Sequence, residues 1–467
     1  MPALLVLLSC DRVEPSSDDA VTTHSDAGAA ASSAGAGGVA RPAAGSGGHR
    51  TDAGGGAGGV EAGSGGGGAE ADSGGSGPEA RSGGAGGTAV PSTPAAGRGS
   101  AGASAAPGDP DVLEQKGNPI YDQLTRYQRW LSSEGDAGAK LAADRMRADN
   151  MLTWQLPHGG FYKNDIKVYD AKWNGSDSRA GWTGESGVEL GTIDNNATVS
   201  ELLFLADVYQ RSSATEYRDG ARKAFDFLLK MQLPSGGFPQ VYPARTGTSY
   251  SNYVTFNDDA MARVLVLLQQ ATQQAPPLQG ELLSDKQRAD AQLAIERAVQ
   301  YILAAQIEQD GKKTVWCAQH DPTSYEPRGA RSYELPSKSG SESAGVIAFL
   351  MTQPQTPAVR AAVMAALAWF ASPAVMRKDT AYVTRPEGST DDSYDPIQAR
   401  AGSTMWCRFY ELDRDDCFFS GRLPTDDPPG KGKQANLMDI EPERRYGYQW
   451  GGSYGSKLLT YAKSVGY

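Results

Sequence analysis

The chain has 467 residues, with 44 Lys and Arg against 55 Asp and Glu, a formal net charge of −11. That acidic surplus argues against a nucleic-acid partner, whose phosphates call for basic patches. With only four histidines, two of them (His24 and His49) in low-complexity sequence, a histidine-rich zinc site is not expected.

In chain order, residues 1–10 read "MPALLVLLSC". The apolar run ending Leu7-Leu8-Ser9-Cys10 matches the cleavage box of a bacterial lipoprotein signal, although it is short and no Lys or Arg precedes it. The expectation is a secreted or cell-surface lipoprotein, attached to the membrane only through a lipidated Cys10. A buried apolar terminus is the plainer alternative. Residues 11–108 are mostly Gly, Ala and Ser and bury too little apolar surface to offset ordering entropy, so a disordered tether is expected. Gly keeps no three-residue period there, which excludes collagen. Residues 109–467 hold the aromatic residues and suit a single catalytic domain, expected to be monomeric. No later apolar run reaches the roughly 18 residues that cross a bilayer.

Beyond residue 110 the apolar spacing is helical. "NATVSELLFLADVYQRS" puts Leu202, Leu203, Leu205 and Val208 on one stripe, and "YRDGARKAFDFLLKMQL" puts Ala221, Ala224, Phe225, Leu228 and Leu229 on another. "DDAMARVLVLLQQA", "DAQLAIERAVQYILAAQ", "AGVIAFLM", "AVRAAVMAALAWF" and "SYGSKLLTYAKSV" continue the series, with a short strand expected near Thr314–Ala318. "QLPHGGF" at 155–161 returns as "QLPSGGF" at 232–238, 77 residues later, and "QIEQDGKKTVW" is a degenerate third copy. Helices alternating with Gly-rich loops point to an all-α fold, an α/α toroid of helical hairpins whose long irregular loops form a cleft at one rim. Each GGF also reads as a helix end with a buried aromatic. On the rim reading, Lys163 faces an anionic ligand.

Two helix starts cluster carboxylates and amides: Asp194, Asn195 and Asn196, then Asn257, Asp258 and Asp259. Capping explains either one alone. Two on one rim suggest calcium, which takes hard oxygen ligands, here converging from separate segments because neither has EF-hand spacing. Cations gather in "RGARSYELPSKS" (Arg328, Arg331, Lys338) and "WCRFYELDRDDCFFSGR" (Arg408, Arg414, Arg422). Arginine forks recognise carboxylates, so calcium with several arginines suits a polymer bearing one carboxylate per sugar, such as polygalacturonate. Cys407 and Cys417 are free to pair or not as far as sequence goes.

The strings "GGFYKN", "TIDNNAT", "MQLPSGGFPQVYP", "VTFNDDAM", "WCAQHDPTSYEPRGARSYELPS" and "RFYELDRDDCFFSGR" resemble, in order, the pectate lyases of polysaccharide lyase family ten. The resemblance implies an α/α toroid performing calcium-dependent anti β-elimination on polygalacturonate, with 4,5-unsaturated oligogalacturonate products. By position it implies Asp194, Asn195 and Asp258 (or its neighbour Asp259) as calcium ligands, Arg331 as base, and Arg408 and Arg422 as substrate contacts. Lys163, Arg328 and Lys338 complete the expected substrate-binding set. On chemical grounds Lys338 is the easier base, because a guanidinium rarely loses its proton; nearby Arg328, Lys338 and calcium are expected to loosen the proton of Arg331. Phe161 and Phe238 stand where Trp is common, which implies weaker sugar stacking. Two other functions fit the same toroid. An inverting glycosidase would use a carboxyl pair, and a glycan-binding surface protein would have no turnover.

Overall fold

A computed structural model of the chain describes residues 115–422 and 432–467. The lipoprotein-type segment, Cys10 and the tether lie outside the described residues. Ten helices are described: α1 (Pro119–Asp122), α2 (Ala137–Trp154), α3 (Val199–Ser212), α4 (Thr215–Met231), α5 (Ala260–Thr272), α6 (Asp285–Ala304), α7 (Glu342–Leu350), α8 (Pro357–Phe370), α9 (Pro442–Tyr446) and α10 (Tyr454–Ser464). Several begin at local caps. The Asp136 carboxylate accepts from Ala139 N, Thr356 caps α8 with Pro357 behind it, and Ser284 and Gln287 form a reciprocal capping box on α6.

The helices form an α/α toroid in two layers. Inner helices α3, α5, α7 and α10 pack in succession, and outer helices α2, α4, α6 and α8 do the same around them. The layers differ as their sequences require. Helix α5 buries every residue except Gln270 and Thr272, and α7 every residue except Ala344, so both are enclosed on all sides. Outer helix α4 buries one face, including Tyr217, Ala221, Ala224, Phe225 and Leu228.

The threefold repeat seen in the sequence has a mechanical role. At the end of α2, Gln155 Nε2 donates to Gly159 O in its own turn and to Gly220 O in α4, at 2.8 and 2.9 Å. Gln232, at the end of α4, donates to Gly236 O and to Ala294 O in α6, both at 2.8 Å. Gln306, after α6, donates to Thr314 O and to Ala362 O in α8, at 2.9 and 3.0 Å. Each outer helix is thereby latched to the next by one amide that uses both of its N–H donors. The glycines of the repeat follow from the same contact. Gly159 and Gly236 have φ of +100° and +99°, and a Cβ on either would sit 2.3 Å from a carbonyl oxygen of the following outer helix, Lys223 O or Arg297 O.

From each latch the chain passes an aromatic residue, Phe161, Phe238 or Trp316, each fully buried. Their carbonyls accept from Thr192 N, Thr255 N and Ser339 N, the residues that lead into α3, α5 and α7. The latch therefore fixes the entry of each inner helix as well as the outer ring. The full burial of Phe161 and Phe238 corrects the expectation drawn from them. They fill the core, so their difference from Trp is a packing matter and leaves sugar stacking untouched.

One other expectation changes: Thr314–Cys317 is not a strand, and the strands there are Lys312–Lys313 and Gln319–His320. The longest strands, Arg377–Tyr382 and Ile397–Cys407, form an antiparallel hairpin interrupted between Ala399 and Thr404. Its exposed half lacks a clean apolar alternation, so sequence periodicity did not reveal it. Cys407 and Cys417 are disulfide-bonded with Cα atoms 6.0 Å apart, and Cys317 is a buried free thiol.

Replacing Gln306 by Ala removes a buried amide that satisfies two carbonyls. Chemical denaturation should show a loss of about 1–3 kcal/mol, and the Gln155→Ala and Gln232→Ala variants should lose similar amounts. Losses of a few tenths of a kcal/mol would mean that the latches do not hold the ring.

Candidate active site

The turns into α3 and α5 share an unusual backbone. Asn195 and Asn196 have φ of 49° and 64°, and Asp258 and Asp259 have φ of 50° and 58°. Asn and Asp tolerate this left-handed region better than other non-glycine residues. The result is the same in both copies: the first residue of each pair, Asn195 or Asp258, is thrown outward and exposed. No side chain caps α3 or α5, so simple N-capping does not account for the clusters. The neighbouring positions diverge. Asp194 is buried and its Oδ2 accepts from Lys163 Nζ at 2.7 Å, while Asp259 Oδ2 turns inward to accept from Gln123 Nε2 at 2.6 Å. Asp258, with its side chain 43 % exposed, is therefore the residue of its pair that faces the rim.

Arg408 crosses between α5 and α7. One nitrogen, Nη2, donates to Asp258 Oδ1 at 2.8 Å, to Asn257 Oδ1 at 3.2 Å and to Glu342 Oε1. The guanidinium is buried and lies over the Tyr448 ring at 4.6 Å. Burial opposes its charge, but Glu342, with Tyr448 and Asp258, outweighs burial and holds the proton more tightly than in ordinary arginine. At Asp258 crowding also opposes the charged form, and Arg408, aided by Arg263 and Arg331, prevails and holds its carboxyl below the ordinary aspartate range. Arg408 thus straps two protein carboxylates together, and its charge is already matched.

Arg331 is clamped edge-on. Its Nε and Nη2 donate to the two carboxylate oxygens of Glu334 at 2.8 and 2.6 Å, and its backbone N–H donates to the same group at 3.1 Å. Glu334 is itself buried and accepts from Tyr448 Oη at 2.9 Å. Among the described residues nothing bonds Nη1, the remaining nitrogen. Burial works against the guanidinium charge, but the bidentate pair with Glu334, aided by Tyr448 and Tyr333, raises its proton affinity above that of ordinary arginine. The expectation of a loosened proton is therefore reversed for the protein without metal. The Tyr333 ring gathers three guanidiniums: Arg444 at 4.5 Å, Arg331 at 4.8 Å and Arg422 at 5.1 Å. Arg422 also pairs with Glu443 at 3.1 Å.

The other two expected cations sit differently. Arg328 pairs with Asp321 at 3.2 Å and Glu326 at 3.4 Å on its own hairpin, and no described contact joins it to Arg331. Lys338 leaves the candidate set altogether. Its side chain is 0 % exposed and its ammonium donates to Gln309 and Asp415. Strand pairing explains the inward direction, because Lys338 lies opposite Tyr410 in a buried two-residue ladder. Residues that the sequence reading passed over include Glu334, Glu342, Arg444 and Tyr448. Charge next to Arg331 pointed to Glu334, but nothing local ties Tyr448 or Arg444 to a loop a hundred residues earlier.

The donor set for calcium is oxygen-only and hard, as that ion requires. Asp194, Asn195 and Asp258 flank the rim, and the buried Oδ1 of Asn196 beside them has no partner. Calcium takes about 6–8 oxygens, and the described residues contain no group of three or more His, Cys, Asp or Glu placed to hold a metal. Three such residues would leave most of a calcium shell to come from outside the protein.

The mostly helical toroid thus carries a rim of paired carboxylates and arginines. Residues 155–459 match the pectic acid lyase family, and the chain belongs to that family. Two solved structures are similar. A family 10 polysaccharide lyase from Cellvibrio cellulosa is 40 % identical with a TM-score of 0.63, covering 76 % of this chain and 99 % of its own. A mutant family 10 polysaccharide lyase from Cellvibrio cellulosa, in complex with trigalacturonic acid, has the same identity and TM-score and covers 76 % and 100 %. No curated protein matches the chain at a significant level.

The burial of Lys338 yields a test. Lys338→Met should leave KM for substrate within about twofold of wild type, because the ammonium does not reach the cleft. Stripping Asp415 of its partner should cost about 3 kcal/mol on thermal or chemical unfolding. A large rise in KM at unchanged stability would return Lys338 to the cleft.

Proposed function

We propose that this lyase cleaves polygalacturonate by calcium-dependent anti β-elimination, releasing 4,5-unsaturated oligogalacturonates, with Arg331 as the base. The observation that carries the reading is the clamp on Arg331. Glu334 takes the Nε–Nη2 edge, so Nη1 is left to meet a substrate proton.

The reaction removes the proton on C5, beside the sugar carboxylate, and expels O4. Negative charge accumulates on that carboxylate in the transition state, and fixed positive charge nearby stabilises it. Held by Asp194, Asn195 and Asp258, calcium would supply such charge. The chain supplies the rest. Lys163, held by Asp194 and lying 4.5 Å from the centre of the Trp182 ring, stands at one side of the rim. Arg422 and Arg444 stand beside Tyr333 near the base. Arg408 holds Asp258 and Glu342 in register and so acts as a positioning residue.

Only a neutral guanidinium accepts the C5 proton. Even an ordinary arginine is neutral in only about one molecule in a thousand at pH 9.5, equivalent to about 4 kcal/mol of barrier. Pairing with Glu334 makes the neutral form scarcer still. Because the proton affinity of Arg331 is raised, its neutral fraction grows about tenfold per pH unit across the whole working range. Asp258, with its affinity depressed, is already ionised there and contributes no alkaline step.

Ultraviolet absorbance of unsaturated product from polygalacturonate tests the reading. Product should form with calcium, stop with a chelator, and form faster as pH rises from neutral into the alkaline range without levelling off. Arg331→Ala should lower kcat about 10²–10⁴-fold, with KM little changed. New reducing ends without absorbance would indicate a glycosidase, and binding without either product a glycan-binding protein.

A further inference from the structure

The two rim turns share a backbone but not the residue beneath them. Thr192 N and Thr255 N both donate to the carbonyl of the buried phenylalanine before them, Phe161 or Phe238, so the turns match position for position. Asn195 then corresponds to Asp258, and Ser200 to Arg263. Arg263 lies in the first turn of α5 and is 3 % exposed. Its Nη1 donates to the main-chain carbonyl of Asp258, and to Gln123 Oε1 at 3.0 Å. Serine is too short to reach back in this way. We infer that Arg263 is a positioning residue that fixes the calcium ligand Asp258 through its backbone carbonyl, on the proposed reading of the site as a calcium-dependent lyase.

Left-handed backbone at a residue other than glycine persists only where its surroundings hold it in place. Asp258 has several holders. Arg408 Nη2 and Asn257 Nδ2 donate to its two carboxylate oxygens, each at 2.8 Å, and its own N–H donates to Glu342 Oε1 at 3.4 Å. The two donors on the carboxylate compete with any cation for the same oxygens. The Arg263 contact is to the main-chain oxygen, so it persists when the carboxylate changes partners.

The second left-handed residue is braced by the same group. Gln123, in the turn after α1, donates from Nε2 to Asp259 Oδ2 at 2.6 Å while its Oε1 accepts from Arg263. One amide thus joins Arg263 to Asp259. Space for this arrangement comes from α7, where an added Cβ on Gly345 would lie 2.1 Å from Asp259 Oδ1.

Arg263 is an expensive residue at this place. Its Nε and Nη2 are buried and bond no protein atom among the described residues. Burying unmet donors is unfavourable, and methionine would fill a similar length without them. What arginine adds is the pair of contacts from Nη1, one to the turn and one to the amide that braces it.

Arg263→Met tests the assignment. It should raise the calcium concentration for half-maximal rate on polygalacturonate about 10–100-fold, the usual effect of losing a contact behind a metal ligand, with kcat at saturating calcium within about threefold of wild type. A similar factor should appear without turnover in the binding of terbium, followed by luminescence sensitised through aromatic side chains, with Asp258→Ala as the reference for loss of the ligand. If Arg263→Met does not fold, Gln123→Ala, at a half-buried position, takes its place, with an expected rise of about three- to tenfold in both measurements. An unchanged calcium requirement in the folded variant would make Arg263 a packing residue and overturn the proposal. Weakened terbium binding in that variant, with wild-type binding in Asp258→Ala, would overturn it as well. Failure of the underlying reading looks different, because wild type would then form no unsaturated product and would bind no terbium that calcium displaces.

Discussion

A glutamine side chain with two donors and two carbonyls to satisfy, used three times, is the contact on which the rest of this structure depends. Gln155, Gln232 and Gln306 each bridge the end of one outer helix to the middle of the next. The spacing between successive outer helices is thereby set by a hydrogen bond, which has a narrow range of lengths, as well as by apolar packing, which tolerates slippage. Since the buried aromatic after each latch also holds the strand leading to an inner helix, the N-termini of α3, α5 and α7 arrive at one rim. That rim carries the partial positive charge of helix N-termini, which favours the carboxylates of Asp194, Asp258 and Glu342 found there.

The electrostatics of the rim follow from how tightly its charges are matched. Lys163 is paired with Asp194, Arg408 with Asp258 and Glu342, and Arg331 with Glu334. A uronate polymer entering such a cleft exchanges ion pairs, so affinity is the difference between those made and those loosened. Calcium engaging Asp194 or Asp258 would draw on carboxylates that Lys163 and Arg408 hold in its absence, which links metal binding to release of protein cations. Arg331 stands apart in this respect, because its clamp leaves one nitrogen uncommitted while fixing the direction of the group.

The repeat was plain in the sequence because each copy needs the same residues for the same contact. In all three copies glutamine makes the latch and an aromatic residue fills the core, and in the first two a glycine passes the next outer helix. Helical stripes were readable for the same reason, as with Leu202, Leu203, Leu205 and Val208, all buried in α3. The turns at Asp194–Asn196 and Asn257–Asp259 stood out by residue type, although the left-handed backbone that selects Asn and Asp there was hidden. Direction was harder to read. Lys338 lies seven positions from Arg331, and ladder pairing turns it into the core; Phe161 and Phe238 sit among rim loops and still point inward. Partners distant in sequence, such as Tyr448 with Glu334 or Arg444 with Tyr333, have no local pattern to betray them.

The central claim is that a clamped Arg331 is the base of an elimination, and its proton affinity is the quantity to measure. The most direct measurement is kcat against pH for wild type and for Arg331→Lys, on polygalacturonate with saturating substrate and calcium. An amine titrates near 10.4 and a guanidinium about two units or more higher. The account predicts that wild-type kcat keeps rising through pH 11, while the lysine variant, slower because it lacks the planar fork, levels off about two units lower. Profiles that level off at the same pH in both proteins would place the base on another residue and contradict the account.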